Sequence, residues 1–478
     1  MAGSFYISPQ MRYYGVSSFM IIMEYGEDME QEEIMSKIAD FFKFKERNTS
    51  YKTELIAGIT TFMTMAYVLV VQPGAIVGYG DAAFITDVNG VMITKEAIVV
   101  TCAIISGAIT LFMALYANLP FALATGMGSN FMFGALIQSQ KLSFGGAMAM
   151  TLISGLIFLL LTIFGIRDLI VKAIPKNIKI SIGTAIGFFI AYLGFKNTGM
   201  AAFTDSGMGM GNFKDPAVML AVLGLVIIAI LTAYKVNGAI LIGIIIVTLV
   251  GIPAGVTTIP STFAKVPDFT GLGNVMFNLD FKSVFSFSSV ILIFTAFCGD
   301  FFSTLGTILG VSAKAGMLDE NGDLPNIQQP FLVDAIGTCV GALTGNTVIT
   351  TFVESSAGVE AGGRTGFTSV VVSVIFMVMV FLSPLVLMIP DAATGPALIF
   401  VGFLMISGFK DIDFADFTES FGPFVMIMFT VFTGSIASGI SAGILAFVLI
   451  KTATGKFKEV HPIMYVMAIP LVCYFVFG

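Results

Sequence analysis

The chain has 478 residues, of which 56% are hydrophobic and only 11% are charged. An ordinary soluble domain carries about 25% charged residues, which it needs to cover its surface. This composition excludes a soluble fold and predicts a polytopic membrane protein, most of whose surface faces lipid.

The net charge and the content of cysteine and histidine exclude several classes of function. A net charge of −7 is the opposite of the basic surface that nucleic-acid binding requires. The four cysteines lie far apart in apolar stretches without C-x-x-C spacing, and His461 is the single histidine. We therefore expect no metal site, no cofactor and no enzyme chemistry of the common kinds.

Apolar stretches of helix-spanning length recur along the chain after a polar N-terminal segment that has no signal peptide. Residues 1–51 are expected to form a cytoplasmic extension. The later stretch 463–477 is apolar but has no place in the count. Compared with the roughly 20 residues that a spanning helix needs, the chain contains fourteen spans: 55–71, 97–117, 119–137, 144–164, 178–195, 217–234, 238–256, 287–311, 331–343, 344–359, 367–389, 397–409, 421–433 and 436–450.

Lysine and arginine residues are distributed unevenly between the two sides of the membrane. With the N-terminus in the cytoplasm, 17 of the 23 basic residues fall on the cytoplasmic side, including the C-terminal basic segment, and 6 fall outside. This bias agrees with the positive-inside rule. Because each half has seven spans, the second half enters the membrane upside down, and the chain is expected to be a 7+7 inverted repeat.

Spans three and ten are interrupted in the same way. Span three contains LPFALATGMGSNFMFG and span ten contains GALTGNTVITTFVESSAG, each with a short extended stretch followed by a half-length helix. Irregular backbone at membrane depth is tolerated only where it is buried in protein or lines a cavity. Matching positions in the two repeats favour a substrate site, while the alternative is a pair of glycine-rich kinks that permit close helix packing.

Two acidic residues within apolar spans are the strongest candidates for function. A charge at the bilayer centre costs about 2.5–3.5 kcal/mol on insertion scales, so acidic residues in membrane spans are rare and usually have a function. Asp300 lies in span eight and Glu354 in span ten, and the alternative is a neutral acid that fixes helix packing. Asn130 begins the half-helix of span three, whereas Asp334 is expected near the membrane interface.

Four motifs in order along the chain resemble those of the AzgA-like purine nucleobase permeases, a branch of the nucleobase/cation symporters with the UraA-type fold. They are AGITTFMTMAYVLVVQPGAI (57–76), ATGMGSN (124–130), GDFFSTLGTILGVSAKAGMLDENGDLP (299–325) and TTFVESSAGVEAGGRTGFTSVV (350–371).

The resemblance implies a core domain from residues 52–165 and 287–389 and a gate domain from 166–286 and 390–478. It matches Asp300 to the first acid of the family's D-x-F-D-T pattern, Glu354 to the span-ten acid and Asn130 to the family's G-M-G-x-N asparagine. The second acid of the span-eight pattern is Ser303 here.

The resulting prediction is a secondary active transporter that imports purine bases such as hypoxanthine, guanine or adenine by proton symport. Alternatives are a carrier of another nucleobase or an organic anion with the same fold, and a passive channel. We expect a multi-pass protein of the cell membrane, with purine base, protons and lipid as partners, a homodimer as a possible assembly and the proton gradient as energy source. Substrate-binding candidates are Glu354, Asp300, Asn130, Phe301 and Thr350, and Asp300 and Glu354 are also candidates for proton coupling.

Overall fold

The computed structural model describes residues 31–80, 82–165, 174–204, 207–319 and 324–477. Residues 1–30 of the predicted N-terminal extension lie outside the described residues. The same holds for three basic residues of the predicted cytoplasmic set, Arg12, Arg167 and Lys172.

The structure is predominantly helical, with three short two-stranded sheets. The strands are β1 Phe84–Thr86, β2 Met92–Thr94, β3 Leu123–Thr125, β4 Ala201–Thr204, β5 Gly207–Met210 and β6 Ile349–Thr351. The α-helices are α1 Gln31–Phe41, α2 Tyr51–Met65, α3 Tyr67–Val77, α4 Lys95–Phe112, α5 Met127–Gln138, α6 Phe144–Ile163, α7 Lys176–Asn197, α8 Pro216–Ala233, α9 Ala239–Gly251, α10 Phe269–Val275, α11 Phe287–Ala315, α12 Gln328–Leu343, α13 Ser355–Glu360, α14 Gly366–Met379, α15 Ser383–Leu387, α16 Asp391–Ile406, α17 Phe417–Thr433, α18 Ile436–Ala453 and α19 Pro462–Phe477.

Many of these helices are long and apolar enough to cross a membrane. Among the described residues, eight helical stretches have at least 18 residues and suitable hydropathy, and four shorter apolar helices accompany them. The chain is therefore a polytopic membrane protein, as its composition predicted. The stretch 463–477, which had no place in the sequence count, forms most of α19 and packs against α18 and α11.

Short polar side chains set the starts of the long helices. Ser50, Thr94, Ser143, Asp215 and Ser286 each precede a helix and accept a hydrogen bond from a backbone N–H in its first turn. This is the N-cap interaction that Ser, Thr and Asp provide best. Because the N-caps stand at the borders of apolar stretches, these five helices begin within four residues of the predicted spans 55–71, 97–117, 144–164, 217–234 and 287–311.

The helices pack in two groups. In one, α14 packs against α2 and α4, α12 and α11 pack against α6, and α3 packs against α5. In the other, α16 packs against α7, α8 and α9, while α17 packs against α7 and α18. The two groups meet where α11 and α5 contact α7 and α18, and where α16 contacts α3.

The centre of the first group is an antiparallel pair of three-residue strands from the two halves of the chain. Leu123 of β3 pairs with Thr351 of β6, and Thr125 pairs with Ile349. All six strand residues are buried. The half-length helices α5 and α13 begin directly after these strands, so the strand pair brings both helix starts together.

Two threonines complete the hydrogen bonding of the outer strand edges. Thr110 of α4 accepts from the Leu123 N–H at 3.0 Å and donates to its carbonyl at 3.1 Å. Thr338 of α12 accepts from the Ile349 N–H at 3.2 Å and donates to the Ile349 carbonyl at 3.0 Å. Backbone groups buried without a partner are costly, so these hydroxyls allow non-helical backbone at this depth.

The segment that follows α1 is fixed to the first helix group. Phe42 and Phe44 are 2% and 4% exposed, and both rings pack edge-on against Phe367. The Arg47 guanidinium donates to the carbonyl oxygens of Asn118 at 2.6 Å and Arg364 at 2.8 Å. The part of the predicted extension that the structure describes is therefore an integral part of this helix group.

Asp280 connects the loop before α11 to the start of α6. Its carboxylate accepts hydrogen bonds from the side chains of Ser283 at 2.6 Å, Ser143 at 2.9 Å and Asn89 at 3.1 Å. These bonds, that of Ser283 above all, favour the charged form and lower the pKa of Asp280 to about 2. The connection therefore persists over the whole pH range in which cells live.

We predict that α3 and α5 tolerate no side chain at Gly134. A Cβ at this position would lie 1.9 Å from the carbonyl oxygen of Ala75, so Gly134→Ala forces the helices apart at a cost of about 1–3 kcal/mol. The control is Gly306→Ala in α11, where a Cβ meets nothing within 4 Å. The thermal midpoint of the purified protein should fall for Gly134→Ala and not for Gly306→Ala; equal midpoints would contradict the packing.

Candidate functional site

A cavity of about 170 Å³ lies between the two helix groups. One side is lined by the start of α5, by β6 with the residues that follow it, and by one face of α11. The other side is lined by residues of α7 and α16 and by Ile436 at the start of α18. Both interrupted segments therefore border the same space.

Glu354 lines this cavity just before α13. The Tyr67 hydroxyl of α3 donates to Glu354 Oε1 at 2.7 Å, and Tyr67 is itself 2% exposed. Thr64 donates to the Glu354 backbone carbonyl at 3.3 Å. Tyr67 thus fixes the orientation of the carboxylate at the cavity wall, which suits a group that binds a ligand in a defined position.

Asp300 lines the cavity from α11 and is 3% exposed. Thr338 shares its hydroxyl proton between Asp300 Oδ2 and the Ile349 carbonyl, each at 3.0 Å. Asp300 Oδ1 has no hydrogen-bond partner among the described residues. This buried oxygen is an unsatisfied acceptor beside the cavity, and it can take up a proton.

Asp334 of α12 lies beside Asp300, and the two carboxyl groups interact directly. Asp334, which the sequence placed near the membrane interface, is fully buried in the protein. It accepts from the Thr351 N–H and hydroxyl, both at 2.8 Å, and from Thr304 at 2.8 Å. The Asp334 side chain therefore anchors the end of β6 and supplies a second acid near Asp300.

The sequence signal for Asp334 was the same as for Asp300. Both are acids within apolar helices, but Asp334 follows a loop by only a few residues, and its depth depends on how α12 packs against α6. Packing of this kind is set by tertiary structure, which explains why the linear pattern did not bring Asp334 to Asp300.

Thr350 of β6 lines the cavity, and its hydroxyl lies 2.9 Å from that of Thr304. This hydrogen bond continues to Asp334, since Thr304 donates to Asp334 Oδ2. Thr350 thus connects the cavity surface with the buried pair of acids.

Asn130 does not line the cavity, although the sequence made it a candidate for substrate binding. It is fully buried. Its amide donates to Thr125 in β3 at 3.1 Å, and its carbonyl oxygen accepts from Thr347 at 2.5 Å. Asn130 therefore joins the two interrupted segments to each other, which is a positioning role.

Phe301 is also placed away from the cavity. Its ring is fully buried among Phe158, Phe297 and Phe331, with ring centroids 5.4 to 5.7 Å apart. The next residue, Phe302, lines the cavity instead. Consecutive residues of a helix point about 100° apart, which follows from 3.6 residues per turn, so sequence alone could not choose between the two rings.

The start of α5 contributes backbone donors to the cavity. Gly126, Met127, Gly128 and Ser129 line it, and no side chain caps this helix. The first N–H groups of a helix have no partner within the helix, and they carry its partial positive charge. Carboxylate acceptors, hydroxyls, helix-start donors and an aromatic ring thus surround one cavity, an arrangement suited to a small polar ligand with a flat face. Among the described residues, no cluster of acidic, Cys and His side chains could hold a metal ion.

Comparison with protein families and curated proteins gives matches over nearly the whole chain. A family model described as a permease family, of the xanthine/uracil type, matches residues 52–477. The guanine/hypoxanthine permease PbuO of Bacillus subtilis is 36% identical over 448 residues, which cover 90% of this chain and 98% of that protein. The adenine permease AdeQ of Escherichia coli is 34% identical over 433 residues, covering 90% and 94%.

Solved structures of membrane transporters share the fold at low sequence identity. The transmembrane domain of the cyanobacterial bicarbonate transporter BicA aligns with a TM-score of 0.56 and 16% identity, over 82% of this chain and 97% of that domain. The murine anion transporter Slc26a9 in its inward-facing state aligns with a TM-score of 0.58 and 11% identity, over 95% and 77%.

Proposed function

The chain belongs to the xanthine/uracil type of the permease family, and on this premise we propose that it imports a purine base by proton symport. It is a transporter and not an enzyme, as its permease relatives indicate. The relatives are named for guanine, hypoxanthine and adenine, which makes these bases the first candidates for its substrate. The observation that carries the proposal is the orientation of Glu354 by Tyr67 at the cavity wall.

The cavity chemistry suits a neutral planar base. Ring N–H groups of a purine need acceptors, which Glu354 and Asp300 supply, and ring nitrogens need donors, which the start of α5 supplies. Phe302 offers a flat apolar surface for stacking. An organic anion, the cargo that the fold relatives suggest, would meet two acidic side chains, Asp300 and Glu354, and one lysine, Lys179, in this cavity, so the balance of charge disfavours it.

We further propose that the membrane domain is a fourteen-span, 7+7 inverted repeat with core and gate domains. The antiparallel pairing of β3 with β6, and the matching roles of Thr110 and Thr338 at their edges, support the repeat. The two helix groups support the division into a core of 52–165 with 287–389 and a gate of 166–286 with 390–478.

Ion pairs support the grouping of loops on the two sides of the membrane in the proposed topology, which places the N-terminus and the C-terminal basic segment in the cytoplasm. Lys265 pairs with Glu96 at 2.7 Å, and the proposed topology places both outside. It places Lys314 and Glu360, which are 2.6 Å apart, in the cytoplasm. Each ion pair therefore joins residues assigned to the same side of the membrane.

For coupling, we propose Asp300 as the proton carrier. A buried carboxylate is costly in the membrane, and protonation removes its charge. No Lys, Arg or His lies within the predicted span 287–311, although Lys179 of α7 lines the same cavity. The free Oδ1 atom can accept the proton. Ser303 stands where the family's span-eight pattern has its second acid. In this protein the second carboxyl group beside Asp300 is that of Asp334.

The direct test of the function is uptake of labelled purines and pyrimidines into proteoliposomes, with Glu354→Gln beside the wild type. The exchange of an acceptor for a donor leaves a ligand N–H unpaired, at a cost of about 1–3 kcal/mol, so purine affinity should fall roughly five- to a hundred-fold. Glu360→Gln, at an exposed ion pair in α13, is the matched control and should change nothing. Wild-type uptake of pyrimidines alone, or full affinity in Glu354→Gln, would refute the substrate assignment.

The test of proton coupling is Asp300→Asn, a permanent mimic of the protonated side chain. The variant should exchange labelled base for unlabelled base across the membrane but lose accumulation driven by a pH gradient. Asp413→Asn, at an exposed backbone cap, serves as the control. If the variant still accumulates base in response to the gradient, a residue other than Asp300 carries the proton. If the variant loses all binding, Asp300 binds the substrate and is not the proton carrier.

The test of topology is labelling of single cysteines in a background without Cys339 and Cys473, the two partly accessible native thiols. An impermeant reagent added outside intact cells should label Lys214→Cys and miss Lys176→Cys. Both positions are exposed. The opposite pattern of labelling would overturn the orientation, and labelling of both positions or of neither would contradict a single membrane crossing between them.

A further inference from the structure

One face of α11 presents a row of small and hydroxyl side chains to the cavity. Thr295, Gly299, Ser303 and Thr307 are spaced four residues apart, and all of them line the cavity. Residues at this spacing lie on the same side of a helix. With a rise of about 1.5 Å per residue, the row is about 18 Å long, and Asp300 lies beside its middle.

Thr295 combines an unpartnered hydroxyl with a place in the cavity lining. Thr61 of α2 also has a hydroxyl without a hydrogen-bond partner among the described residues, but it does not line the cavity. Thr151, Thr248 and Thr430 each donate to the carbonyl oxygen four residues earlier, at 2.7 to 2.9 Å. Thr295 is 2% exposed, yet its hydroxyl has no hydrogen-bond partner among the described residues. Buried polar groups almost always have a hydrogen-bond partner. The described residues supply none for the Thr295 hydroxyl.

The position of Thr295 complements the acids of the cavity. Asp300 and Glu354 accept hydrogen bonds when ionised but cannot donate any. The helix start at α5 supplies donors on one side of the cavity, and Lys179 of α7 is a donor on the other side. Thr295 lies about 7.5 Å along the axis of α11 from Asp300, toward the Phe287 end of the helix, where it can donate to an acceptor at the far edge of a base.

We propose that Thr295 is a specificity-determining residue whose hydroxyl donates a hydrogen bond to an acceptor atom of the bound base, either a ring nitrogen or an exocyclic oxygen. This inference rests on the proposed function, since it takes a purine base as the ligand. It assigns a partner to the unpaired hydroxyl and adds a hydrogen-bond donor of α11 to the acceptor, Asp300, that the same helix supplies.

The test compares Thr295→Val, which keeps the branched shape and removes the hydroxyl, with Thr295→Ser, which keeps the hydroxyl. In proteoliposomes, Thr295→Val should raise the KM for the preferred purine roughly five- to thirty-fold with a small change in maximal rate, and Thr295→Ser should stay within about two-fold of wild type. Thr151→Val and Thr430→Val, away from the cavity, are the matched controls. Thr295→Ala replaces Thr295→Val if the latter does not fold.

A panel of analogues separates recognition from a structural role. Inhibition of uptake is measured with the 1-deaza, 3-deaza and 7-deaza forms of the preferred base and with the form that lacks its exocyclic oxygen or amine. The analogue without the acceptor should inhibit wild type and Thr295→Val equally, whereas the others should inhibit the variant less.

The outcomes distinguish this inference from the proposed function. If the wild type takes up no purine, the proposed function and the role of Thr295 are both refuted. If the wild type takes up purine but Thr295→Val keeps its KM, only the role of Thr295 is refuted. A loss that is equal for every analogue, or is matched by Thr151→Val, shows a packing role and likewise overturns the inference.

Discussion

The pairing of two three-residue strands at the centre of the first helix group is the interaction on which the rest of the site depends. Backbone at membrane depth must have all its hydrogen bonds satisfied within the protein. The β3 and β6 strands satisfy their inner edges through each other, and Thr110 and Thr338 satisfy outer-edge groups. Without these bonds neither half-helix could begin inside the membrane, and the cavity between their starts would not exist.

The same hydrogen bonds connect the scaffold to the acidic groups. Thr338 bonds both to β6 and to Asp300, and Asp334 accepts from the backbone and hydroxyl of Thr351 at the end of that strand. A movement of β6 would therefore change the surroundings of both carboxyl groups. This arrangement gives a physical route by which the protonation of an acid and the geometry of the cavity can influence one another, since they share the same hydroxyl groups.

Much of the fold and part of the site could be predicted from the sequence. Apolar stretches predicted the helices, polar residues at their borders are the N-caps, and the Thr-Gly interruptions predicted both half-helices. Each of these signals depends only on residues close together in the chain. Asp300, Glu354 and Thr350 line the cavity, and their roles in binding stay predictions. The family was also evident, because its motifs are short contiguous segments.

The sequence by itself thus determined a helical membrane transporter with two interrupted segments and buried acids, because hydrophobicity and backbone propensity act over a few residues. Tertiary structure decided which side chains meet. In the folded protein, Phe302 rather than Phe301 lines the cavity. Asn130 joins the two interrupted segments, and Asp334 lies beside Asp300. These choices depend on helix rotation and on packing between residues far apart in the chain, for which a single sequence carries no local signal.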